Sequence, residues 1–428
     1  MKKTFYGWWI TIACLFTFGI STGLPYYNIT FFYDYFEKPV AEGGFGWARD
    51  EIVLGFPLAA LFTLWIGPII MPKFSPRKLI LVGTGLTFCA FFGFSQMNGE
   101  LLIYYTLWFV YTCGYILSGP IPHQVIISQW FRRMRGRAMG IAYVGVGLIA
   151  SAGSYIAKPL AEEYGFRMAL LIMGSLLFLA WPIAIFVLRD KPSDKGLHPD
   201  DDPVPTTHTT VVPPMSVRDL LAKPAFWLLV IGSFCSIGAI GAINQHMKLV
   251  FKDQGFVDQE VLNSTWRTAS ILILWSSIAG RLIMGTMADR FPKKLVMTGT
   301  YALVAATIPV MLMVRPEQSH YIYIFAILFG FGMGADYMLI PLMAAEQFGV
   351  SSLARAMAII LPTDTIGQTW FPYFVARLRT SFGSYDSALM SIFGLAMLGA
   401  VAIALLPRSK HTHETLQVQD SRRTVTGD

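Results

Sequence analysis

Charged residues are scarce in this sequence. Of its 428 residues, 14% are Asp, Glu, Lys or Arg, whereas 54% are hydrophobic. Soluble domains carry about 25% charged residues, which keep their surface in contact with water. The chain therefore has too little charge for a cytosolic kinase, nuclease or dehydrogenase. A membrane protein with several spanning helices is the class that remains.

Signals for disulfides, metal sites, leader cleavage and phosphate binding are also missing. Cys14, Cys89, Cys113 and Cys235 lie inside apolar runs, at spacings that fit neither a disulfide framework nor a metal site. Closely spaced glycines occur only inside apolar runs with no strand before them, which argues against a nucleotide-binding loop. We expect no metal and no cofactor. Residues 1–34 lack a small-residue cleavage site, which favours a retained first helix over a signal peptide.

Long apolar runs bounded by charge or by Gly and Pro are what the sequence does contain. A helix that crosses a bilayer needs about 20 apolar residues. We therefore predict an all-α membrane protein with twelve transmembrane helices. The predicted spans lie near 7–34, 50–72, 77–96, 101–130, 136–160, 166–188, 224–248, 266–288, 293–314, 320–346, 353–376 and 386–407.

The distribution of basic residues predicts the orientation of these spans. With the N-terminus in the cytoplasm, the cytoplasmic loops hold roughly twice as many Lys and Arg residues as the outer loops. The basic run 132–137 then lies at the inner leaflet, where it favours contact with the lipid bilayer and not with nucleic acid. We expect a multi-pass plasma-membrane protein, in the inner membrane of a bacterium, with both termini cytoplasmic.

The two halves of the chain resemble each other. Residues 130–139 parallel residues 347–357, and residues 73–79 parallel residues 290–295. Because six spans separate the copies, the repeats are parallel, as in many transporters. The predicted parts are a six-helix bundle at 1–188, a cytoplasmic linker at 189–223, a second six-helix bundle at 224–407 and a cytoplasmic tail at 408–428.

Two motifs carry a resemblance to a known family. The segment from Gly285 to Asp289-Arg290, followed by two lysines between spans eight and nine, resembles the loop motif of the major facilitator superfamily. Residues 7–9 and 130–142 look like the first- and fifth-span signatures of monocarboxylate transporters and their bacterial oxalate/formate antiporter relatives. The resemblance implies the major facilitator fold, alternating access and a gating role for Asp289 and Arg290. In the first-half copy of the loop motif, Met71 or Pro72 stands where the aspartate belongs.

The resemblance also implies that Arg281 binds the carboxylate of the substrate. Arg281 lies eight residues before Asp289, about 12 Å inside the helix end at ~1.5 Å per residue. An arginine facing lipid there would cost at least about 2.5–3.5 kcal/mol, so we expect it to face a cavity or a partner. Its planar guanidinium matches a carboxylate. The alternative is an Arg281 that only ties span eight to an acidic neighbour.

Three departures from the family pattern affect the coupling mechanism. Ser277 stands where proton-coupled animal members have an aspartate, and Tyr27 stands where they have a first-span lysine. Span eleven contains Asp364 and no lysine, unlike the oxalate/formate type. The proton route must therefore differ from that of the animal members, and a two-cation dicarboxylate site is disfavoured.

Two acidic residues inside predicted spans are candidate proton carriers. Asp336 in span ten and Asp364 in span eleven reach a depth comparable to that of Arg281. A buried carboxyl group without full pairing can take up and release a proton near neutral pH. We rank Asp364 above Asp336, because Pro362 nearby can loosen the helix. The alternative is a static ion pair of either acid with Arg281 that fixes helix packing.

Polar residues near Gly and Pro breaks in the spans are further candidate substrate ligands. Helix breaks free backbone groups to line a cavity, and phenols can hydrogen-bond a small hydroxy acid. Each of these residues could equally be a packing residue, and His246 is preferred over His123 because it lies near the predicted outer mouth. The candidates are Tyr26, Tyr27, Asn28, Tyr115, Ser118, His246 and Tyr337.

Together these features predict a transporter and not an enzyme. The prediction is a secondary active transporter that carries small monocarboxylates such as lactate or pyruvate with a proton, and that functions as a monomer. Alternatives are an organic-anion exchanger and a carrier of a zwitterion or a larger organic acid, because two acids beside one arginine could also bind an amine. A more remote alternative is a carboxylate sensor that transports nothing.

Overall fold

The computed structural model describes residues 5–63, 66–202 and 213–407, and all regular structure in these ranges is helical. The predicted tail at 408–428 and the middle of the predicted linker lie outside the described residues. The all-helical class predicted from the sequence is confirmed for these residues.

Twelve long helical segments follow one another in the described part of the chain, six in the first half and six in the second, with shorter helical turns between them. The first half contains α1 (Tyr6–Glu37), α2 (Arg49–Thr63 and Ile66–Lys73), α3 (Pro76–Gln96), α4 (Leu101–Trp130), α5 (135–164) and α6 (166–186). The second half contains α7 (Pro224–Asp253), α8 (Gln259–Arg290), α9 (Lys293–Leu312), α10 (Tyr321–Phe348), α11 (Val350–Phe382) and α12 (Tyr385–Ala404).

Fewer than twelve of these segments stand out as spans by length and apolar composition. In the described part of the chain nine helices meet that criterion, or ten when the two bent parts of α2 are taken as one span. One of the nine is the joined run of α5 and α6, which is interrupted at Gly165 (φ 78°, ψ 159°). The prolines and charged residues of α11 lower its hydropathy, although its 33 residues are long enough to cross a bilayer.

Two breaks in helical geometry lie where the sequence places Gly and Pro. In α1 a π turn runs over Gly19–Gly23 and ends two residues before Pro25. In α4 the backbone leaves helical geometry at Gly119 (φ −83°, ψ −137°) and restarts at Pro120. Such irregular turns are common at functional sites, because they change the direction in which the following side chains point.

The two halves pack closely where α5 crosses α8. A Cβ atom built on Gly140 would overlap the carbonyl oxygen of Arg281. Only glycine allows the two helix backbones to approach so closely. This crossing lies one helical turn from the N-terminus of α5, so it joins the first half to the second near one end of the bundle.

The described parts of the linker attach to both halves at that same end. A carboxylate oxygen of Asp200 accepts hydrogen bonds from the backbone N–H groups of Arg132 and Arg133, both at 2.8 Å. On the other side, the N–H group of Met215 donates to the Ser352 hydroxyl at 3.0 Å. This end of the bundle is called the linker end below.

Replacement of Gly140 by alanine is expected to destabilise the fold by about 1–3 kcal/mol, because the new methyl group overlaps the α8 backbone. Alanine at Gly299 in α9 is the matched control, since a Cβ atom there has no neighbour within 4 Å. Gly299→Ala should be neutral or slightly stabilising, because alanine favours helix. Thermal unfolding of both purified variants in detergent tests this; equal melting temperatures would contradict the close packing of α5 on α8.

Candidate functional site

A cavity lies between the two halves, beyond the α5–α8 crossing. Its volume is about 100 Å³, measured as the space open to the centre of a water-sized sphere, and it opens to solvent at its mouth. Helices α1, α2, α4 and α5 line it on one side, and α8, α10 and α11 on the other. Seven aromatic side chains contribute to its wall: Phe18, Tyr26, Tyr27, Phe56, Tyr115, Tyr143 and Tyr337.

Arg281 is the charged residue of this cavity wall. Its Nε and Nη1 atoms are buried and have no hydrogen-bond partner in the described part of the chain. The phenols of Tyr27 and Tyr143 are close enough to interact electrostatically with the guanidinium. A buried donor of this kind costs about 1–3 kcal/mol or more when it stays unpaired. The arrangement therefore favours a bound anion that accepts these hydrogen bonds.

The aromatic residues from α1, α2 and α4 form one cluster in the wall. The ring of Tyr26 lies 5.1 Å from that of Tyr27, 5.3 Å from that of Phe56 and 5.6 Å from that of Tyr115. We call Tyr26, Tyr27, Phe56 and Tyr115 the aromatic cluster. Tyr27 leaves 56% of its surface exposed although it lines the cavity, so the cavity is open at this cluster.

On the second half, Tyr337 of α10 lines the cavity beside α11. Its hydroxyl donates a 2.9 Å hydrogen bond to Oε1 of Gln368, which also lines the cavity. Of the predicted substrate ligands, the structure thus brings Tyr26, Tyr27, Tyr115 and Tyr337 into one wall with Arg281. Their role in binding remains a prediction.

Asp336 and Asp364 lie behind this wall, in the interior of the second half. They are 0% and 1% exposed, and they do not line the cavity. Asp364 accepts a 2.6 Å hydrogen bond from Ser233, and Asp336 accepts one of 2.5 Å from Ser236. The other oxygen of Asp364 has no partner in the described structure, whereas Asp336 also interacts with the phenol of Tyr301.

Neither acid is ion-paired with Arg281 in this structure. Salt bridges among the described residues include no bridge to Arg281. This conformation therefore does not contain the alternative arrangement, a static ion pair of Arg281 with Asp336 or Asp364. Ser233 and Ser236 are three residues apart on α7, so they face the same side of that helix and connect it to α11 and α10.

Three other predicted ligands have packing partners outside the cavity wall. Asn28 donates to the carbonyl groups of Leu24 and Ala150, at 2.9 and 3.1 Å. Ser118 donates to the carbonyl of its helix neighbour four residues earlier, at 2.9 Å. In His246 one ring nitrogen lies 3.0 Å from the Tyr385 hydroxyl and the other 2.9 Å from a backbone carbonyl of α11. The structure does not bring these three residues to Arg281.

The predicted gating residue Asp289 joins the two halves at the linker end. Its carboxylate accepts hydrogen bonds from the backbone N–H groups of Gly136 at 2.6 Å and Arg137 at 3.0 Å. These groups belong to the first turn of α5, and the N-terminus of a helix favours an anion. Arg290 is exposed and makes no ion pair with a described residue. The cavity is therefore closed at the linker end and open at the opposite end.

Sequence reasoning missed several cavity residues. Tyr143, Phe56 and Gln368 line the cavity, and Tyr143 also accepts a 2.5 Å hydrogen bond from Gln124. A tyrosine within the glycine-rich segment of α5 was a signal that could have found Tyr143, because small residues mark a helix face that approaches other helices. Phe56 and Gln368 lie in spans where polar or aromatic residues occur on several faces, so the sequence did not indicate which of these faces lines the cavity.

Comparison with known proteins agrees with this architecture. The sequence profile of the Major Facilitator Superfamily matches residues 120–274 and 264–426. The gentisate transporter of Corynebacterium glutamicum is 22% identical over 86% of this chain and 82% of its own length. Monocarboxylate transporter 12 of Xenopus laevis is 22% identical over 92% of this chain and 86% of its own length.

A solved structure shares the fold. The crystal structure of the Escherichia coli fucose:proton symporter superposes with a TM-score of 0.67 at 11% identity, over 93% of this chain and 98% of that one.

Replacement of Asp289 by asparagine should loosen the linker end. Asparagine keeps one acceptor but loses the charge that strengthens both hydrogen bonds, a loss of about 1.5–3 kcal/mol. We expect faster hydrogen–deuterium exchange in peptides that cover residues 131–140 and 283–291. The control is Asp190→Asn, because Asp190 binds the Arg77 N–H group at 2.9 Å within the first half only. Unchanged exchange in the Asp289 variant, or an equal change in the control, would argue against this gate.

Proposed function

Because this chain belongs to the Major Facilitator Superfamily of membrane transporters, we propose that it carries small monocarboxylates in symport with protons. Lactate and pyruvate are the first candidates. Transport would follow from alternating access, in which the first half rocks against the second around the cavity. The proposal extends to a bacterial inner membrane, with both termini and the linker end on the cytoplasmic side, and to a monomer as the working unit.

The unpaired guanidinium of Arg281 is the observation that carries the substrate class. Its two buried N–H groups without partners match the two oxygens of a carboxylate. No Asp or Glu is present among the described cavity-lining residues, so a monoanion would neutralise the site. The amine of a zwitterion would find no acidic partner in this wall, which supports a monocarboxylate over the zwitterionic alternative. The names of two relatives, a gentisate transporter and a monocarboxylate transporter, point to carboxylates as well.

The two acids behind the wall support proton coupling. Neither carboxyl group has a cationic partner among the described salt bridges, and one oxygen of Asp364 has no hydrogen-bond partner in the described structure. A carboxylate in such surroundings is costly, so protonation stabilises it. Asp336 precedes Tyr337 in α10, and Asp364 is one residue before the cavity-lining Thr365 in α11. A change in either acid can therefore reach the cavity through its own helix.

Conversion between open states requires the Asp289 joint to break. The carboxylate and the amide groups at the start of α5 can both be hydrated, so separation exchanges protein hydrogen bonds for water hydrogen bonds. The free-energy cost is then modest, as a carrier that cycles needs.

Replacement of Arg281 by glutamine should abolish carboxylate transport while the protein remains folded. Loss of a charged hydrogen-bond pair costs about 3 kcal/mol, or roughly a 100-fold lower kcat/KM. The measurement is uptake of labelled lactate and pyruvate into proteoliposomes under an inward proton gradient. Arg267→Gln, at an exposed position near the other end of α8, should transport normally. A folded Arg281 variant with normal uptake would refute the site.

Replacement of Asp364 or Asp336 by asparagine should separate proton coupling from substrate binding. Asparagine keeps an acceptor for Ser233 or Ser236 but cannot exchange a proton. In the variant that lacks the proton-carrying acid, accumulation of substrate driven by the proton gradient should disappear. Exchange of labelled for unlabelled acid across the membrane should persist. Asp258→Asn at the exposed start of α8 is the control. If both variants still accumulate substrate with the gradient, neither acid carries the proton; exchange without any gradient-driven uptake in the unmodified protein would indicate an exchanger instead.

A further inference from the structure

The cavity wall next to Arg281 is dominated by aromatic rings. The aromatic cluster comprises Tyr26, Tyr27, Phe56 and Tyr115, and the rings of Phe56 and Tyr115 close it with centroids 6.0 Å apart. Their mutual orientations are mostly edge-on: the Tyr26–Tyr27 and Tyr26–Phe56 planes meet at 83° and 71°. A cluster of this form presents both faces and edges of rings to the cavity. Such surfaces bind a flat aromatic group better than water or a short aliphatic chain.

The aromatic cluster lines the same cavity as Arg281, the residue proposed to bind the carboxylate. Tyr27 interacts electrostatically with the Arg281 guanidinium and also contacts the ring of Tyr26. Because Tyr27 and Arg281 line the same cavity, a substrate whose carboxylate meets Arg281 has aromatic surface available in the same wall.

Outside the rings and Arg281, the wall combines apolar side chains with the polar groups of Thr22, Thr63, Thr112, Thr365 and Gln368. Ile116, Ile121, Val146, Leu361 and Pro362 line the cavity beside the rings. Lactate has one methyl group and one hydroxyl group to place against this surface, so most of the wall would stay in contact with water. A six-membered ring would remove far more apolar area from water, and binding grows with that area.

From this arrangement we infer that the preferred substrates are aromatic monocarboxylates, with the carboxylate on Arg281 and the ring against the aromatic cluster. The inference rests on the proposed function, because it assumes that Arg281 binds the carboxylate of a transported acid. It narrows the substrate class from monocarboxylates in general to those with a planar ring.

Three acids separate ring stacking from size. Benzoate carries a planar ring, cyclohexanecarboxylate has the same number of carbons in a puckered ring, and lactate is small. Affinities of the purified full-length protein are measured by isothermal titration calorimetry. Proton-driven uptake is then measured in proteoliposomes, with uptake by protein-free liposomes subtracted. We expect benzoate to bind roughly tenfold more tightly than cyclohexanecarboxylate, as aromatic pairing predicts, and more tightly still than lactate.

Substitutions in the aromatic cluster test the position of the ring. Phe56→Leu removes a cavity-lining ring while keeping an apolar side chain, so it should lower the ratio of the benzoate affinity to the cyclohexanecarboxylate affinity several-fold. Phe92→Leu is the matched control, because Phe92 lies on α3, is 49% exposed and does not line the cavity. Tyr115→Phe keeps the ring and should retain the preference, which provides a second variant if Phe56→Leu does not fold.

The outcomes distinguish this inference from the proposed function. Lactate bound as tightly as benzoate, with proton-driven uptake intact, would overturn the aromatic preference and leave the proposed function standing. Equal affinities for benzoate and cyclohexanecarboxylate would likewise overturn it, since size alone would then explain selection. Absence of binding and of uptake for all three acids would refute the proposed function, and the inference with it.

Discussion

The buried, unpaired charge of Arg281 is the constraint on which the rest of this molecule depends. A cation in the middle of an apolar bundle is stable only where it meets solvent or an anion. Here the described wall offers it phenols and no carboxylate. The protein thus keeps its two buried acids away from the arginine, because an internal pair would occupy the donors that an anion from solution would bind.

Arg281 and the two acids lie in different parts of the second half. In the proposed function, the part with Arg281 binds the substrate and the part with the acids binds the proton. The cavity wall holds the cation, while the helix-packing interior holds Asp336 and Asp364 on the hydroxyl groups of Ser236 and Ser233. Helices α10 and α11 belong to both parts, since each carries an acid next to a cavity-lining residue. In the proposed symport, these two helices would couple the protonation state of the interior to the shape of the cavity.

The segment before α5 organises the closed end of the bundle. It receives a carboxylate from each side: Asp200 of the linker binds the N–H groups of Arg132 and Arg133, and Asp289 of α8 binds those of Gly136 and Arg137. The first contact attaches the linker to the first half, so it would persist in the proposed transport cycle. The second joins the two halves, so it would break when they separate at this end.

The sequence was sufficient for features that depend on a single residue or on the length of an apolar run. Lipid requires long apolar helices with internally paired backbones, so run lengths predicted the all-helical fold, and the motif around Asp289 predicted the family. Arg281 could be identified from the sequence because a charged residue inside a span is energetically costly and therefore indicates a function. The sequence did not predict that α11 is less apolar than the other spans.

What only the tertiary structure decided is which face of each helix points where. Helices α10 and α11 are buried on several sides, so their sequence does not reveal that Tyr337 and Gln368 face the cavity while Asp336 and Asp364 face α7. The sequence also did not reveal that Asn28, Ser118 and His246 form hydrogen bonds to other protein groups outside the cavity wall. The sequence by itself determined the fold class, the family and the cation inside span eight, because lipid and the cost of charge act on each span separately. The site's composition was decided by helices that are distant in the chain, because a cavity wall exists only once they pack.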